Sequence, residues 1–568
     1  MSMGPLNLRA GAVGLTLFAL AACATVPQDT AQAPTAPEAV QILALNDFHG
    51  NLEVPASDTT YTAGGQRVSA RLGGAGRLGA TLAKLREGQA NTVTVAAGDL
   101  IGGSPLVSAY FLDEPTIMAL NRMGLDLASV GNHEFDKGTN ELIRMQRGGC
   151  EKHTQRQPCR LDNPFEGAKF TYLAANVVSE DGETLFPGTA IRHFGDARIG
   201  FIGMTLKDTG SLVSPAGTAG YSFADEAETA NALAAELKAQ GADAVVVLVH
   251  QGGDVDPFFN QDGCPNLGGD IMPVLARLDP AIRLVVSGHT HKAYVCEVPA
   301  ADGSTRLLTS AGRYGYFVTD IHMAVDPASD RVVSLSAVNK PVVEAAGEQQ
   351  DIAALVGRYA ASSADVASRR VGRIEGSLEN AEGSIDTSLQ RLVADAALAA
   401  TRDPARGGAE IAFINSGGVR TGFLPAADGS VTYGQIFALQ PFGNTIEVLE
   451  LTGAQIKAVL EQEFTRDGTG QFRQSFLTPS QGFAYTIDRS APDGQHVVAM
   501  TLNGQPIDPA RTYRVAVNNF LQQGGDGFTV LTQGRFVTGG GNDLDALETF
   551  IESGVRASTE ARVSEVRR

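Results

Sequence analysis

Ile42-Leu-Ala-Leu-Asn-Asp47-Phe-His49 is the first of five short apolar runs that each close on a residue able to hold a metal. The others are Val93-Thr-Val-Ala-Ala-Gly-Asp99, Ala128-Ser-Val-Gly-Asn132-His133-Glu-Phe-Asp136, Val245-Val-Val-Leu-Val-His250 and Leu284-Val-Val-Ser-Gly-His289-Thr-His291. Their length, their richness in Val, Ile and Ala, and the Gly or Asp that ends them predict strands buried on both faces. The polar residues then lie just past the strand ends, the edge at which open α/β sheets bind ligands. In an extended segment residues i and i+2 project to the same side, so Asp47 with His49, and His289 with His291, are expected to aim at one point each.

Five of the nine histidines fall inside these runs. The donor mixture is carboxylate, amide oxygen and imidazole, without cysteine, which suits Mn, Zn, Fe, Co or Mg rather than a structural zinc tetrahedron. Seven candidate ligands (Asp47, His49, Asp99, Asn132, His250, His289, His291) are too many for one ion with open positions and fit two ions sharing Asp99. Two ions roughly 3.5–4 Å apart can clamp both oxygens of an in-line displacement at phosphorus and generate hydroxide at neutral pH. Hydrolysis of a phosphate ester suits that arrangement.

The five runs resemble, complete and in order, the signature of the calcineurin-like metallophosphoesterases. The resemblance implies a four-layer α/β β-sandwich flanked by helices. It also implies one ion on Asp47, His49, Asp99 and His291, and another on Asp99, Asn132, His250 and His289. His133 would then face the substrate, oriented by Asp136, as a catalytic pair: a His steered by a carboxylate can protonate a leaving alkoxide.

Residues 1–22 carry one early arginine, Arg9, and a short apolar stretch from Ala12 to Leu20, which reads as a signal peptide. Leu20-Ala-Ala-Cys23 resembles the bacterial lipobox, so Cys23 is expected to be lipidated and to anchor the protein to a membrane, with a Pro-, Ala- and Thr-rich tether over 23–39. This places the protein in the periplasm or on the cell surface. Four cysteines remain, an even number where disulfides persist, and their order favours Cys150 with Cys159 and Cys264 with Cys296. The net charge of −19, with no Lys/Arg run, argues against binding nucleic acid polymers.

The catalytic domain is expected over 40–345, with Val318–Val325 its last strand-like run, a connecting helix over 346–366, and a smaller α+β domain over 367–568. That last part carries its own constellation. Ile411-Ala-Phe-Ile-Asn415-Ser-Gly-Gly-Val-Arg420 is a strand running into a Gly turn. Gln440-Pro-Phe442-Gly-Asn444 and Val515-Ala-Val-Asn-Asn-Phe520-Leu-Gln-Gln-Gly-Gly-Asp526 each offer an aromatic beside polar groups. Two phenylalanines can sandwich a flat base, and Asp526 can accept from ribose hydroxyls.

Together these motifs resemble the C-terminal domain of the 5′-nucleotidase and UDP-sugar hydrolase family, which follows a metallophosphoesterase domain. The resemblance implies that Phe442 and Phe520 stack the base, that Asp526, Asn415 and Asn444 meet sugar or base, and that Arg420 engages phosphate. It implies release of phosphate from nucleoside 5′-monophosphates through a metal-bridging hydroxide. The alternatives are a UDP-sugar hydrolase, a 2′,3′-cyclic-nucleotide phosphodiesterase with 3′-nucleotidase activity, or a lipoprotein that binds nucleotides without turnover. One departure bears on that choice. Family members place further arginines just before the helix that opens this domain, whereas Ser377-Leu-Glu-Asn-Ala-Glu-Gly-Ser-Ile-Asp-Thr-Ser-Leu-Gln-Arg391 has none until Arg391, which shifts the expectation toward a bulkier or cyclic phosphate.

Overall fold

The computed structural model describes residues 36–566 except 155, 214–215, 379–384, 466–471 and 473–475. The signal peptide, Cys23 and most of the tether lie outside the described residues. The chain is a two-domain α/β protein. In the first domain strands β1 (Glu38–Leu45), β2 (Thr92–Ala97), β3 (Leu127–Ser129) and β4 (Thr171–Leu173) run parallel in one sheet. A second sheet contains β5 (Thr189–Phe194), β6 (Ala197–Thr205), β7 (Ala244–His250), β8 (Ile282–Ser287), β9 (Ala293–Pro299) and β10 (Thr305–Ala311) in the order β9-β10-β8-β7-β6-β5. Antiparallel β11 (Phe317–Asp326) and β12 (Arg331–Pro341) complete the first sheet, ordered β12-β11-β1-β2-β3-β4.

The apolar runs are continuous because each strand is covered twice. Ile42, Val93 and Val95 meet Phe201, Val246 and Leu284 between the sheets. On the outer faces Leu43 and Leu45 pack with Leu78 and Leu120 from helices, and Val245 and Val247 with Ala230 and Leu237. Removing such side chains from water is worth about 1.5–3 kcal/mol each, which fixes strand register by fixing which residue meets which layer. β12 is an additional strand beyond Val318–Val325. Ser334, Ser336, Asn339 and Lys340 interrupt its sequence, so it lacks the apolar run by which the others are read.

β1 begins at Glu38, so the last two positions assigned to the tether are paired backbone. The connecting helix α1 spans Gln350–Ser368, shifted toward the C-terminus from 346–366 because Glu344–Ala346 forms a separate turn that ends on Gly347. Its buried face (Ile352, Leu355, Tyr359) packs on the helices Ala75–Arg86 and Glu114–Met123 of the first domain. The smaller domain is built on strands β13 (Ile411–Asn415), β14 (Thr445–Thr452), β15 (Leu477–Pro479), β16 (Thr512–Asn518) and β17 (Arg535–Asn542), ordered β15-β13-β16-β14-β17. Helix α2 (Ser388–Thr401) covers one face, started by a capping box between Thr387 and Gln390.

Cys150 and Cys159 are disulfide-bonded. Cys264 and Cys296 are not: they are free thiols that share a hydrogen bond, which together with burial pushes the Cys296 thiol up. They are neighbours because Gly263 bridges Val295 on β9, so the pairing is right in space while the covalent bond is absent. Among the described residues no helix is long and apolar enough to cross a membrane.

Candidate functional site

The ends of β1, β2 and β3 in one sheet and of β7 and β8 in the other converge on a single cradle. His49 Nε2 lies 3.7 Å from Asp47 Oδ1, 3.5 Å from Asp99 Oδ2 and 3.2 Å from His291 Nε2. His250 Nε2 lies 3.0 Å from Asp99 Oδ2 and 3.1 Å from Asn132 Oδ1, which is also 3.1 Å from His289 Nδ1. Asp47, His49 and His291 form one group able to hold an ion; Asp47, Asp99 and His250 form another.

Convergence does not come from extended geometry, as the i, i+2 argument supposed. Asp47, His49, Asp99, His289 and His291 all have positive φ, from 46 to 72°. A non-glycine residue in this region costs about 1–3 kcal/mol and persists only where its surroundings impose it. Because the backbone turns at each of them, His289 faces Asn132 while His291 faces Asp47 and His49, so these two histidines serve different points.

The donor chemistry fits cations. His49 Nδ1 donates to the Gly102 carbonyl at 2.9 Å, and His250 Nδ1 to that of Ala97 at 2.8 Å. A carbonyl only accepts, so each ring carries a proton at Nδ1 and turns Nε2 toward carboxylate, amide and imidazole groups, where it offers a lone pair to an ion once any second proton is displaced. Such a convergence of lone pairs calls for positive charge between them. Burial pushes the Asp47 carboxyl up to about 7. Burial opposes a charge on His250, yet the Asp99 carboxylate pushes it up to about 9.

His133 is placed beside the cradle rather than in it. Its backbone N–H donates to Asp99 Oδ1 at 2.9 Å, and its Nδ1 to Asp136 Oδ2 at 2.9 Å. Asp136 also accepts from the Gly103 N–H and caps no helix, since the next one begins after Gly138 without a side-chain cap. Burial would lower the His133 imidazole, but Asp136 and Asp99 raise it above its ordinary value.

Three further residues support this geometry and escaped the sequence reading. Glu134, fully buried, accepts N–H bonds from Asp99, Leu100 and Gly131, tying the loops after β2 and β3 together. Asn46 holds Asp47 Oδ2 at 2.7 Å and spans to Gly312 and Ala311. Tyr314, at φ 57°, donates its N–H to the Asp47 carbonyl at 2.7 Å. Adjacency to a ligand was the available signal for Glu134 and Asn46; nothing local marks Tyr314.

From the smaller domain, the Phe442 ring stacks on His133, 5.7 Å between centroids at 14°. Asn415 Nδ2 donates to Asp526 Oδ2 at 2.7 Å, and Asn518 donates to Asn415 Oδ1 at 3.2 Å. Burial raises the Asp526 carboxyl, and His133 is close enough to oppose that shift. Arg420 hangs over the cradle, 5.9 Å from the Tyr314 ring centroid, with Nε and Nη2 buried and without a hydrogen-bond partner. Phe520 lies instead against Gly525, where a Cβ would meet its ring at 2.5 Å, and on the edge of the core. Asn444 is occupied with Asp543. Arg391 donates from Nη1 to Asp386 and from Nη2 to the Ser558 carbonyl, while its Nε is buried without a hydrogen-bond partner.

Two family models match the chain: calcineurin-like phosphoesterase over residues 40–293 and 5′-nucleotidase, C-terminal domain, over 369–533. Among curated relatives, "Endonuclease YhcR" of Bacillus subtilis is 28% identical over 90% of this chain, which spans only 40% of that protein's length. "Cell wall protein Lmo0130" of Listeria monocytogenes is 29% identical over 92% of this chain and 68% of its own. The crystal structure of a 5′-nucleotidase precursor from Thermus thermophilus aligns with a TM-score of 0.76 at 25% identity, covering 93% of this chain and all (100%) of that one.

Proposed function

We propose, for a chain that belongs to the two-domain hydrolase family joining a calcineurin-like phosphoesterase to a 5′-nucleotidase C-terminal domain, that the reaction is release of phosphate from nucleoside 5′-monophosphates. The observation that carries this reading is Phe442 lying on His133: an aromatic from the smaller domain sits at the cradle where a nucleoside leaving group would depart.

Two divalent ions, held by Asp47, His49, Asp99 and His291 and by Asp99, Asn132, His250 and His289, would supply charge to the phosphoryl oxygens and lower the pKa of water. The side chains carry the remaining tasks. His133, with Nδ1–H committed to Asp136, keeps Nε2 for the proton that the departing 5′-oxygen needs. Arg420 brings two unpartnered N–H groups to a phosphoryl oxygen, and Asp526, braced by Asn415, accepts from ribose hydroxyls. In this reading Phe442 exchanges its stack on His133 for a stack on the base, a change that a movement of the second domain would allow. A location outside the cytoplasm is supported by the N-terminal motif and by the name of the Listeria relative, and an anchor at Cys23 by the motif alone.

A second reading, a UDP-sugar hydrolase or cyclic-nucleotide phosphodiesterase, is favoured by the commitment of Arg391 elsewhere. Phosphate release from AMP, UMP, UDP-glucose and 2′,3′-cyclic AMP, with Mn, Zn or Co added, separates the two. Preference for the monophosphates supports the first reading, and their inertness beside an active diester refutes it.

A further inference from the structure

Lys137 follows Asp136 directly in the chain and donates from Nζ to Asp113 Oδ2 at 2.7 Å. Asp113 is fully buried, and it also accepts from Ser108 Oγ at 2.7 Å and from the Gly102 N–H at 3.4 Å. The next amide of the same loop, that of Gly103, donates to Asp136 Oδ2 at 3.1 Å. Two consecutive N–H groups are thus shared between two carboxylates, and Lys137 joins the far one to the near one. Asp136, Gly103, Gly102, Asp113 and Lys137 close a ring.

The ring has little slack. Gly102, at φ 81°, has no room for a side chain, because a Cβ would lie 2.3 Å from the His133 carbonyl oxygen and 2.7 Å from Asp136 Oδ2. Leu112 and Asp113 both hold positive φ, 58 and 66°, a conformation that persists only where the surroundings impose it. Burial would push the Asp113 carboxyl up, but the Lys137 ammonium holds it below its ordinary value. A carboxylate at that depth stays charged only with such a partner. Asp136, by contrast, is an exposed residue whose carboxylate could turn to water, and the Gly103 N–H holds it against His133 Nδ1.

We propose that Lys137 and Asp113 are positioning residues for the pair of His133 and Asp136. They fix the Gly102 and Gly103 amides, these fix the Asp136 carboxylate, and Asp136 keeps His133 Nε2 aimed at the departing oxygen. The inference rests on the phosphohydrolase reading, in which His133 gives that oxygen its proton. The Gly102 carbonyl also accepts from His49 Nδ1, so the ring touches the cradle too, and the test must tell the two roles apart.

A leaving group that needs no proton does so. Turnover by the metal-loaded full chain is measured with AMP and glycerol phosphate, which release alkoxides, and with p-nitrophenyl phosphate, which releases a stable phenolate; bound metal is measured alongside. Lys137→Met should lower kcat for both alkyl esters about tenfold and leave p-nitrophenyl phosphate within about twofold, with KM and metal content unchanged, and Lys137→Arg should recover most of the loss. An equal fall with all three esters, a loss of metal, or no change overturns the proposal. Should Lys137→Met fail to fold, the double change Lys137→Met with Asp113→Asn, which leaves no charge buried alone, is judged by the same ratio. A wild-type protein that hydrolyses glycerol phosphate and p-nitrophenyl phosphate but no nucleotide would sink the nucleotide reading, and the ratio between those two esters would still decide the positioning role.

Discussion

The metal cradle and the nucleotide side of the site are built by opposite means. Seven candidate ligands converge because five strands, each buried on both faces, deliver them to one edge, where backbone turns at positive φ finish the aiming of five of them. The nucleotide side has no such frame. Of its six candidate residues, Asn415, Arg420, Phe442 and Asp526 approach the cradle, while Phe520 and Asn444 are held within their own domain. A cradle fixed by strand register is rigid; a surface delivered by a second domain depends on how that domain sits.

The comparison breaks first if the cradle tolerates loss of its centre. Asp99 touches His49, His250 and the His133 N–H, so Asp99→Ala should cut phosphate release roughly a thousandfold or more, since metal stabilisation is worth several kcal/mol. Retention of more than about a tenth of the activity would show that the ions do not depend on it. His133→Gln should lower kcat about a hundredfold or more with KM little changed, and Asp136→Asn should follow it less steeply.

On the nucleotide side the effects should be smaller and fall on KM. Phe442→Ala is expected to raise KM for AMP about tenfold, from roughly 1–3 kcal/mol of stacking, and to leave ribose 5-phosphate, which has no base, within about twofold. Phe520→Ala should do less. An equal loss with both substrates would mean that Phe442 serves His133 rather than the base.

The smallest effect concerns the core of the second domain. Glu463 is fully buried against Tyr485 and the Leu477 N–H, and burial pushes its carboxyl from 4.5 up to about 8. The folded protein therefore holds this proton between about pH 4.5 and 8 while the unfolded chain has lost it, so stability falls as pH rises through that window, by on the order of a few kcal/mol. Glu463→Gln should remove that part of the slope, read as melting temperature at pH 5 and pH 9. An unchanged slope would place the proton elsewhere.

How much of this the sequence discloses follows from the same contrast. Strand ends and their ligands are legible because burial on two faces writes a continuous apolar run, and the run stops where the ligand begins. The i, i+2 spacing of His289 and His291 misled because left-handed backbone redirects each residue, which no spacing records. Phe442 and Phe520 look alike in sequence, each an aromatic beside a Gly turn. Only the fold of the second domain sets one on His133 and the other on Gly525. Tyr314 meets an arginine over a hundred residues away, and Cys264 with Cys296 shows that proximity can be read where bonding cannot.

The most direct test is phosphate release from AMP by the chelator-stripped protein, with and without restored Mn, Zn or Co. Release that vanishes on stripping and returns with the divalent ion, leaving adenosine as the second product, is the predicted result. No metal-dependent release from AMP, or from any other nucleoside 5′-monophosphate, would contradict the account.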